Sequence, residues 1–117
     1  MRSTDPMSAD QPGPASGGPA TFVNSFTLRT TPEEFEDVFA RTARFMERQP
    51  GFLGYTLVRH LEQPHSYVNI ARWADVASFR AAVGQSDFRP HAEALRAIST
   101  SSSNLYLERR SATGEAR

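Results

Sequence analysis

The order of its periodic segments is the feature that most constrains the fold of this 117-residue chain. Apolar and polar residues alternate, as is typical of strands, at residues 22–29, about 53–60, 66–73 and about 104–108. Between the first two, apolar residues recur at helical spacing. Thr31 and Pro32 carry the signals that begin such a helix, and Pro50-Gly51 those that end it.

A second helical region follows the third strand and is predicted to be broken. Asp75 is a candidate N-cap for a short helix that Gly84 ends, and Ser86-Asp87 begins another. Apolar and aromatic residues share one side of this second piece: Phe88, His91, Leu95 and Ile98. The order β-α-β-β-α-β is the split βαβ pattern, which predicts an α+β, ferredoxin-like fold with its helices on one face of the sheet.

Composition assigns this fold to residues 21–108. Residues 1–20 are rich in Pro, Gly, Ser and Asp and are predicted to be a disordered tail, and residues 109–117 to be a flexible one. Thirteen basic and thirteen acidic residues give no net charge, so we expect neither nucleic acid nor an anionic membrane as a partner. The chain has no cysteine, and we expect no secretory signal, which favours a cytoplasmic protein.

The sheet face opposite the helices is predicted to carry the apolar side chains of Val23, Val58, Val68 and Ile70. A small domain gains from covering such a surface. Pairing two sheets face to face would do so, and we therefore expect a homodimer with a barrel-like interior.

Polar residues on the helix-facing side are the candidates for chemistry. Asn24 shares its strand face with Phe22 and Phe26, and on the third strand Tyr67, Asn69, Ala71 and Trp73 share one face. The first and third strands are neighbours in this topology, so Asn24 and Asn69 can lie side by side. Asn69 and Trp73 stand roughly 13 Å apart along an extended strand, comparable to a fused polycyclic aromatic. No two histidines have metal-ligand spacing, and no metal site is predicted.

Four segments of the sequence look like parts of a known family: FVNSFTL, ARTARFMERQPGF, SYVNIARW and FRPHAEALRAIST. Together they resemble the antibiotic biosynthesis monooxygenase family. They are most similar to its cofactor-independent anthrone oxygenases, of the nogalamycin, actinorhodin and tetracenomycin type. The resemblance spans about residues 21–107, with FVN and YVNIxxW as its more specific elements.

The resemblance implies a dimeric ferredoxin-like enzyme that oxidises an anthrone-type aromatic polyketide to a quinone with O2, using neither metal nor flavin. It implies that Asn24, Asn69 and Trp73 are the catalytic residues. Substrate contacts are expected from Tyr67, Phe79, Phe88, His91 and Phe39. His91 would act as a proton acceptor or hydrogen-bond partner, or have a purely structural role.

Other functions remain open on the sequence. Relatives include oxygenases that use a reduced flavin to open a ring and cyclases that fold a poly-ketone without O2. A non-catalytic ligand-binding protein is the third alternative. Haem-degrading relatives use a helical histidine, which resembles His91, but also a helical tryptophan whose place here falls near Ala82. Haem binding is therefore not expected.

Overall fold

The computed structural model describes residues 18–115. Four strands and three α-helices follow one another as β1 (Ala20–Leu28), α1 (Pro32–Glu47), β2 (Phe52–Arg59), β3 (Ser66–Trp73), α2 (Val76–Val83), α3 (Arg89–Ile98) and β4 (Ser99–Leu107). The strands form one antiparallel sheet in the order β2-β3-β1-β4. The α+β, ferredoxin-like prediction is confirmed, including the broken second helical region, where a 3-10 turn at Ser86–Phe88 leads into α3.

Side-chain caps begin α1 and α2 at the predicted residues, whereas the turn at Ser86–Phe88 and α3 have no side-chain cap. The Thr31 hydroxyl accepts a hydrogen bond from the Glu34 backbone N–H at 3.1 Å, and the Asp75 carboxylate accepts one from the Ser78 N–H at 2.8 Å. Each cap satisfies a backbone donor that has no partner inside its helix. The α2 cap therefore fixes where the chain leaves β3 to cover the sheet.

The first and last strands of the chain begin earlier than predicted. β1 begins at Ala20, which is buried and belongs to the fold rather than to the predicted tail of residues 1–20; residues 1–17 of that tail lie outside the described part. β4 begins at Ser99, five residues before the predicted start, because its serines pair along the length of β1 from Leu28↔Ser99 to Ala20↔Leu107. Pairing with β1 overrides the weak strand preference of a serine run. Residues 109–115 form no helix or strand.

The helix-facing side of the sheet packs into two apolar clusters. The first contains Phe26, Leu28, Phe35, Phe39, Ala43, Tyr67 and Leu95. The second contains Ala71, Trp73 and Ala82, with Phe22, Met46, Phe52 and Phe79 packed against it. The α1 helix contributes to both clusters, and the site lies between them.

The other side of the sheet is not covered by any helix of the described chain. Val58 is 42% exposed and Ile70 38% exposed. Register pairs Val23 with Ile70 and Val58 with Val68, so these four side chains form one continuous apolar stripe across three strands. Among residues 18–115, no helix has the length and apolarity needed to cross a bilayer.

Candidate active site

A cavity between the sheet and the helices separates the two clusters. It encloses about 600 Å³ of space not occupied by atoms, including its opening to solvent. Strands β1, β2 and β3 form its floor, and α1, α2 and the segment from Phe88 to α3 form its roof. It is lined by Phe22, Asn24, Phe26, Phe39, Thr42, Ala43, Met46, Phe52, Tyr55, Asn69, Ala71, Trp73, Phe79, Val83, Phe88 and Leu95. It is concave and mostly apolar, with a few polar groups, as small-molecule sites are.

The two asparagines lie next to each other on the floor. Asn24 and Asn69 are direct partners in the antiparallel pairing of β1 with β3, which the period-two pattern predicted. The Oδ1 atoms of both side chains are buried and have no hydrogen-bond partner in the protein. A buried polar atom without a partner costs roughly 1–3 kcal/mol. A bound molecule with polar groups would remove that cost.

Trp73 stands four residues along β3 on the same face and is 1% exposed. Its ring is held edge-on by Phe52 and Phe79, at centroid distances of 5.1 and 5.8 Å. The indole Nε1 is nonetheless buried without a partner. A packed ring whose N–H remains free is a donor fixed in place before any ligand binds.

Three of the residues expected to contact a substrate lie at the cavity. Phe39, Phe79 and Phe88 all line the cavity. Phe79 also packs on Phe22, with ring centroids 4.7 Å apart, so α2 closes one end of the cavity with aromatic surface. These flat rings favour a flat, unsaturated ligand.

Tyr67 does not line the cavity, although it shares a strand face with Asn69. It is buried in the first cluster against Phe35, at a ring centroid distance of 4.9 Å. Its hydroxyl donates a hydrogen bond to Glu36 Oε2 at 2.5 Å. Burial, and then the neighbouring Glu36 carboxylate, raises the pKa of Tyr67 above its ordinary value, while Arg59 opposes this shift. Tyr67 is part of the core, so the expectation of a substrate contact does not fit its position.

His91 is likewise absent from the cavity wall. Its ring packs on Phe45, at a centroid distance of 5.5 Å, and Phe45 in turn packs on Phe88, which does line the cavity. Leu95, one turn further along the same face of α3, is the residue of this helix that lines the cavity. The expected role of His91 as a proton acceptor for the substrate does not fit this arrangement, whereas a packing role does.

Two cavity residues were not identified from the sequence. Thr42 on α1 is 7% exposed, and its Oγ1 is buried without a partner. Tyr55 on β2 packs its ring on Phe39 with a centroid distance of 5.6 Å and is partly exposed at the cavity wall. The sequence pattern alone does not show that a helical hydroxyl lacks a hydrogen-bond partner.

The cavity wall is almost without charge. Among the described residues that line it, Tyr55 is the only one with an ionisable side chain. No group of three or more His, Cys, Asp or Glu side chains within residues 18–115 is arranged to hold a metal ion. The polar groups that the wall does offer are two amides, an indole N–H and the hydroxyls of Thr42 and Tyr55, which can hydrogen-bond polar atoms of a ligand.

Fold and cavity together define a class: small α+β proteins that enclose a flat, aromatic-lined pocket containing a few fixed hydrogen-bonding groups. Residues 22–94 match the antibiotic biosynthesis monooxygenase family, and the chain belongs to that family. This finding confirms the family resemblance.

Individual relatives agree with the family assignment. The chain is 56% identical over 89 residues to deoxynogalonate monooxygenase of Streptomyces nogalater, covering 76% of this chain and 75% of that protein. The crystal structure of SnoaB, a cofactor-independent oxygenase from Streptomyces nogalater, superposes with a TM-score of 0.78 at 53% identity, over 80% of this chain and 96% of the other. A conserved protein from Methanosarcina mazei shares the fold at 18% identity, with a TM-score of 0.70 over 80% and 96% of the two chains.

Proposed function

We propose that this protein is a cofactor-independent monooxygenase that oxidises an anthrone-type aromatic polyketide intermediate to a quinone with O2, in antibiotic biosynthesis. The observation that carries the proposal is the convergence of Asn24, Asn69 and Trp73, each with an unpartnered buried polar atom, on one apolar cavity. The similarity to deoxynogalonate monooxygenase and to SnoaB, a cofactor-independent oxygenase, supports the reaction type.

The reaction needs little from the protein beyond binding and electrostatics. An anthrone has a CH2 group between two aromatic rings, opposite a ketone, so loss of one proton gives a delocalised enolate. The enolate passes one electron to O2, the resulting radical pair combines at the former CH2 carbon, and the peroxide loses water. One oxygen atom becomes the new carbonyl and the other leaves as water, so anthrone plus O2 gives quinone plus H2O.

In this proposal the polar groups on the floor stabilise negative charge on the substrate oxygen. The indole N–H of Trp73, which has no partner in the protein, is one donor, and the side-chain amide N–H groups of Asn24 and Asn69 are the others. The unpartnered Oδ1 atoms of the two asparagines are acceptors and would bond a hydroxyl group of the substrate. Fixed donors in a site that excludes water stabilise a developing oxyanion more strongly than water does, and one donor is typically worth about 10²–10³ in rate. Lowering the pKa of the substrate in this way replaces a strong base, which accords with a cavity wall that has no His, Asp or Glu.

An oxygen-consumption assay tests the reaction. The purified protein is supplied with an anthrone under air and under nitrogen, with and without reduced flavin. Oxygen uptake without any additive, together with formation of the quinone, is the expected result. A flavin requirement would instead indicate the ring-opening type of oxygenase, turnover under nitrogen a cyclase, and binding without turnover a non-catalytic ligand-binding protein. Each of these three outcomes contradicts the proposal.

The proposed enzyme is a cytoplasmic homodimer in which the second copy covers the Val23, Val58, Val68 and Ile70 stripe. Its support is the exposure of Val58 and Ile70 on the face of the sheet opposite the one that packs against the helices. Placing a charge in the stripe, as in Ile70→Lys, should convert the dimer to monomer in light scattering coupled to gel filtration. Arg41→Lys on the exposed side of α1 is the control, and a wild-type protein that elutes as a monomer rules the dimer out.

A further inference from the structure

The roof of the cavity carries one polar group that the proposed reaction does not use. Thr42 belongs to α1, and its neighbours on the helix that also face the cavity are apolar: Phe39, Ala43 and Met46. The Thr42 hydroxyl is buried and has no hydrogen-bond partner. Threonine in a helix commonly bonds to the carbonyl one turn back, and that bond is missing here.

The position of Thr42 puts its hydroxyl above the middle of the floor. Phe39, about one helical turn before it, belongs to the first cluster, and Met46, about one turn after it, packs on the second. Asn24, Asn69 and Trp73 hold the polar atoms of the floor, so the unpartnered groups lie on both sides of the space that a ligand fills. A polycycle whose polar groups all lie at the floor would leave the Thr42 hydroxyl unpaired.

We infer that Thr42 is a specificity-determining residue, which hydrogen-bonds a second oxygen substituent of the substrate, remote from the one held by the asparagines. This inference rests on the proposed function and narrows its substrate class to polycyclic aromatics that carry a peripheral hydroxyl or carbonyl group. A site built to bond a hydroxyl discriminates against analogues that lack it, because its own buried group is then left unpaired.

The test compares binding of three hydroxylated quinones, which do not react with O2 and therefore report on the pocket alone. The probes are 1-hydroxy-, 1,8-dihydroxy- and 1,3,8-trihydroxyanthraquinone. Trp73 is the only tryptophan of the chain and faces the cavity, so quenching of its fluorescence measures each dissociation constant. Thr42→Val keeps the shape of the side chain and removes the hydroxyl, while Thr42→Ser keeps a hydroxyl.

We expect Thr42→Val to discriminate less than the wild type between quinones that carry the recognised hydroxyl and quinones that lack it. The ratio of dissociation constants between the quinones with and without the recognised hydroxyl should fall by about threefold to tenfold, the worth of one hydrogen bond. Thr42→Ser should retain the wild-type order of affinities. Unchanged ratios for every pair of quinones in Thr42→Val would overturn the inference, while a positive oxygen assay would leave the proposed function standing.

Thermal unfolding separates this role from a structural one. Ser99 is the matched control, because it is also buried but its hydroxyl donates to the Leu95 carbonyl at 2.7 Å, outside the cavity wall. Ser99→Ala should lower Tm by about 4–8 °C and leave the quinone affinities as they are. Thr42→Val should not lower Tm, since it removes no hydrogen bond; a drop as large as that of Ser99→Ala would mean that the hydroxyl is structural. A protein that binds none of the quinones would overturn the inference and the proposed substrate class together.

Discussion

The two ends of strand β3 differ in whether the polar side-chain atoms that face the helices have hydrogen-bond partners. Near its start, Tyr67 is buried in a filled core, and its hydroxyl has Glu36 as a partner. At Asn69 and Trp73, further along the same face, the polar atoms are equally buried but have no partner and border empty space. The strand geometry is the same at both ends, so the difference must arise in what lies above it.

The helices above the strand account for this difference. Over Tyr67, α1 supplies the large rings of Phe35 and Phe39, which stack into the space available. Over Asn69 and Trp73, the facing residues are smaller or less rigid, among them Ala43 and Met46. The second helical region is also interrupted there, between Val83 and the turn at Ser86–Phe88. Where α1 places Phe35 and Phe39 over the strand, the space is filled and a core results. Where α1 presents Ala43 and Met46 and the second helical region is interrupted, a cavity remains.

Removing an unpartnered polar group should have the largest effect on activity and little effect on folding. Asn69→Ala is expected to lower kcat by about 10²–10³, because it deletes one fixed donor for the enolate. Its Tm should stay near the wild-type value, since the deleted Oδ1 bonds to nothing. Steady-state oxygen uptake and thermal unfolding measure the two effects.

The control for Asn69→Ala is Tyr67→Phe, two residues away on the same strand face. If both variants lost activity to the same degree, the two ends of the strand would not differ in function, and the proposed role of Asn69 would be wrong. Trp73→Phe removes the indole N–H and is expected to lower kcat similarly, although the smaller ring also loosens the contacts with Phe52 and Phe79.

Filling the cavity above Ala71 should give that part of β3 a packed core like the one around Tyr67. Ala71 lies on the floor between Asn69 and Trp73, and its side chain borders the cavity. Ala71→Leu is expected to weaken quinone binding by at least about tenfold, because the added atoms occupy the volume of the ligand. It should also raise the free energy of unfolding by about 1 kcal/mol, through extra apolar burial.

Ala82→Leu is the matched control for Ala71→Leu, since Ala82 is 1% exposed and does not border the cavity. Extra atoms there should overpack the second cluster and lower stability by about 1–3 kcal/mol. Equal destabilisation by both substitutions would show that the space above Ala71 is not available.

The sequence predicted the strand side of the site better than the helix side that faces it. Period-two alternation assigned Asn24, Asn69 and Trp73 to one face, and topology made the asparagines neighbours, which the register bears out. It could not say where along that face the helices leave space, because helix rotation and packing depend on contacts distant in sequence. For that reason Tyr67 and His91 were assigned to the substrate, and Thr42 and Tyr55 were missed.

Removing the partnered polar group should cost stability rather than activity. Tyr67→Phe deletes the hydrogen bond to Glu36 and is expected to lower the free energy of unfolding by about 1 kcal/mol. Because Tyr67 does not border the cavity, kcat should stay close to that of the wild type. Denaturant unfolding of Tyr67→Phe, Glu36→Ala and the double variant isolates the pair, and fully additive losses would show that no such bond contributes.

The hydrogen bond between Tyr67 and Glu36 also affects how the free energy of unfolding changes at alkaline pH. Burial and Glu36 raise the pKa of Tyr67 above its ordinary value of 10.0, so the folded state holds this proton more tightly than the unfolded state. The resulting stabilisation is fully present below the unfolded pKa and is lost as pH rises through the folded pKa.

The chain has three tyrosines and no lysine, and Tyr55 and Tyr106 remain in Tyr67→Phe, so their titration cancels in the comparison. The difference in unfolding free energy between wild type and Tyr67→Phe should therefore be constant up to about pH 10 and shrink above it. A difference that grows with pH would mean that the pKa of Tyr67 is lower in the folded protein than in the unfolded one. Arg59 rather than Glu36 would then have the larger effect on that pKa.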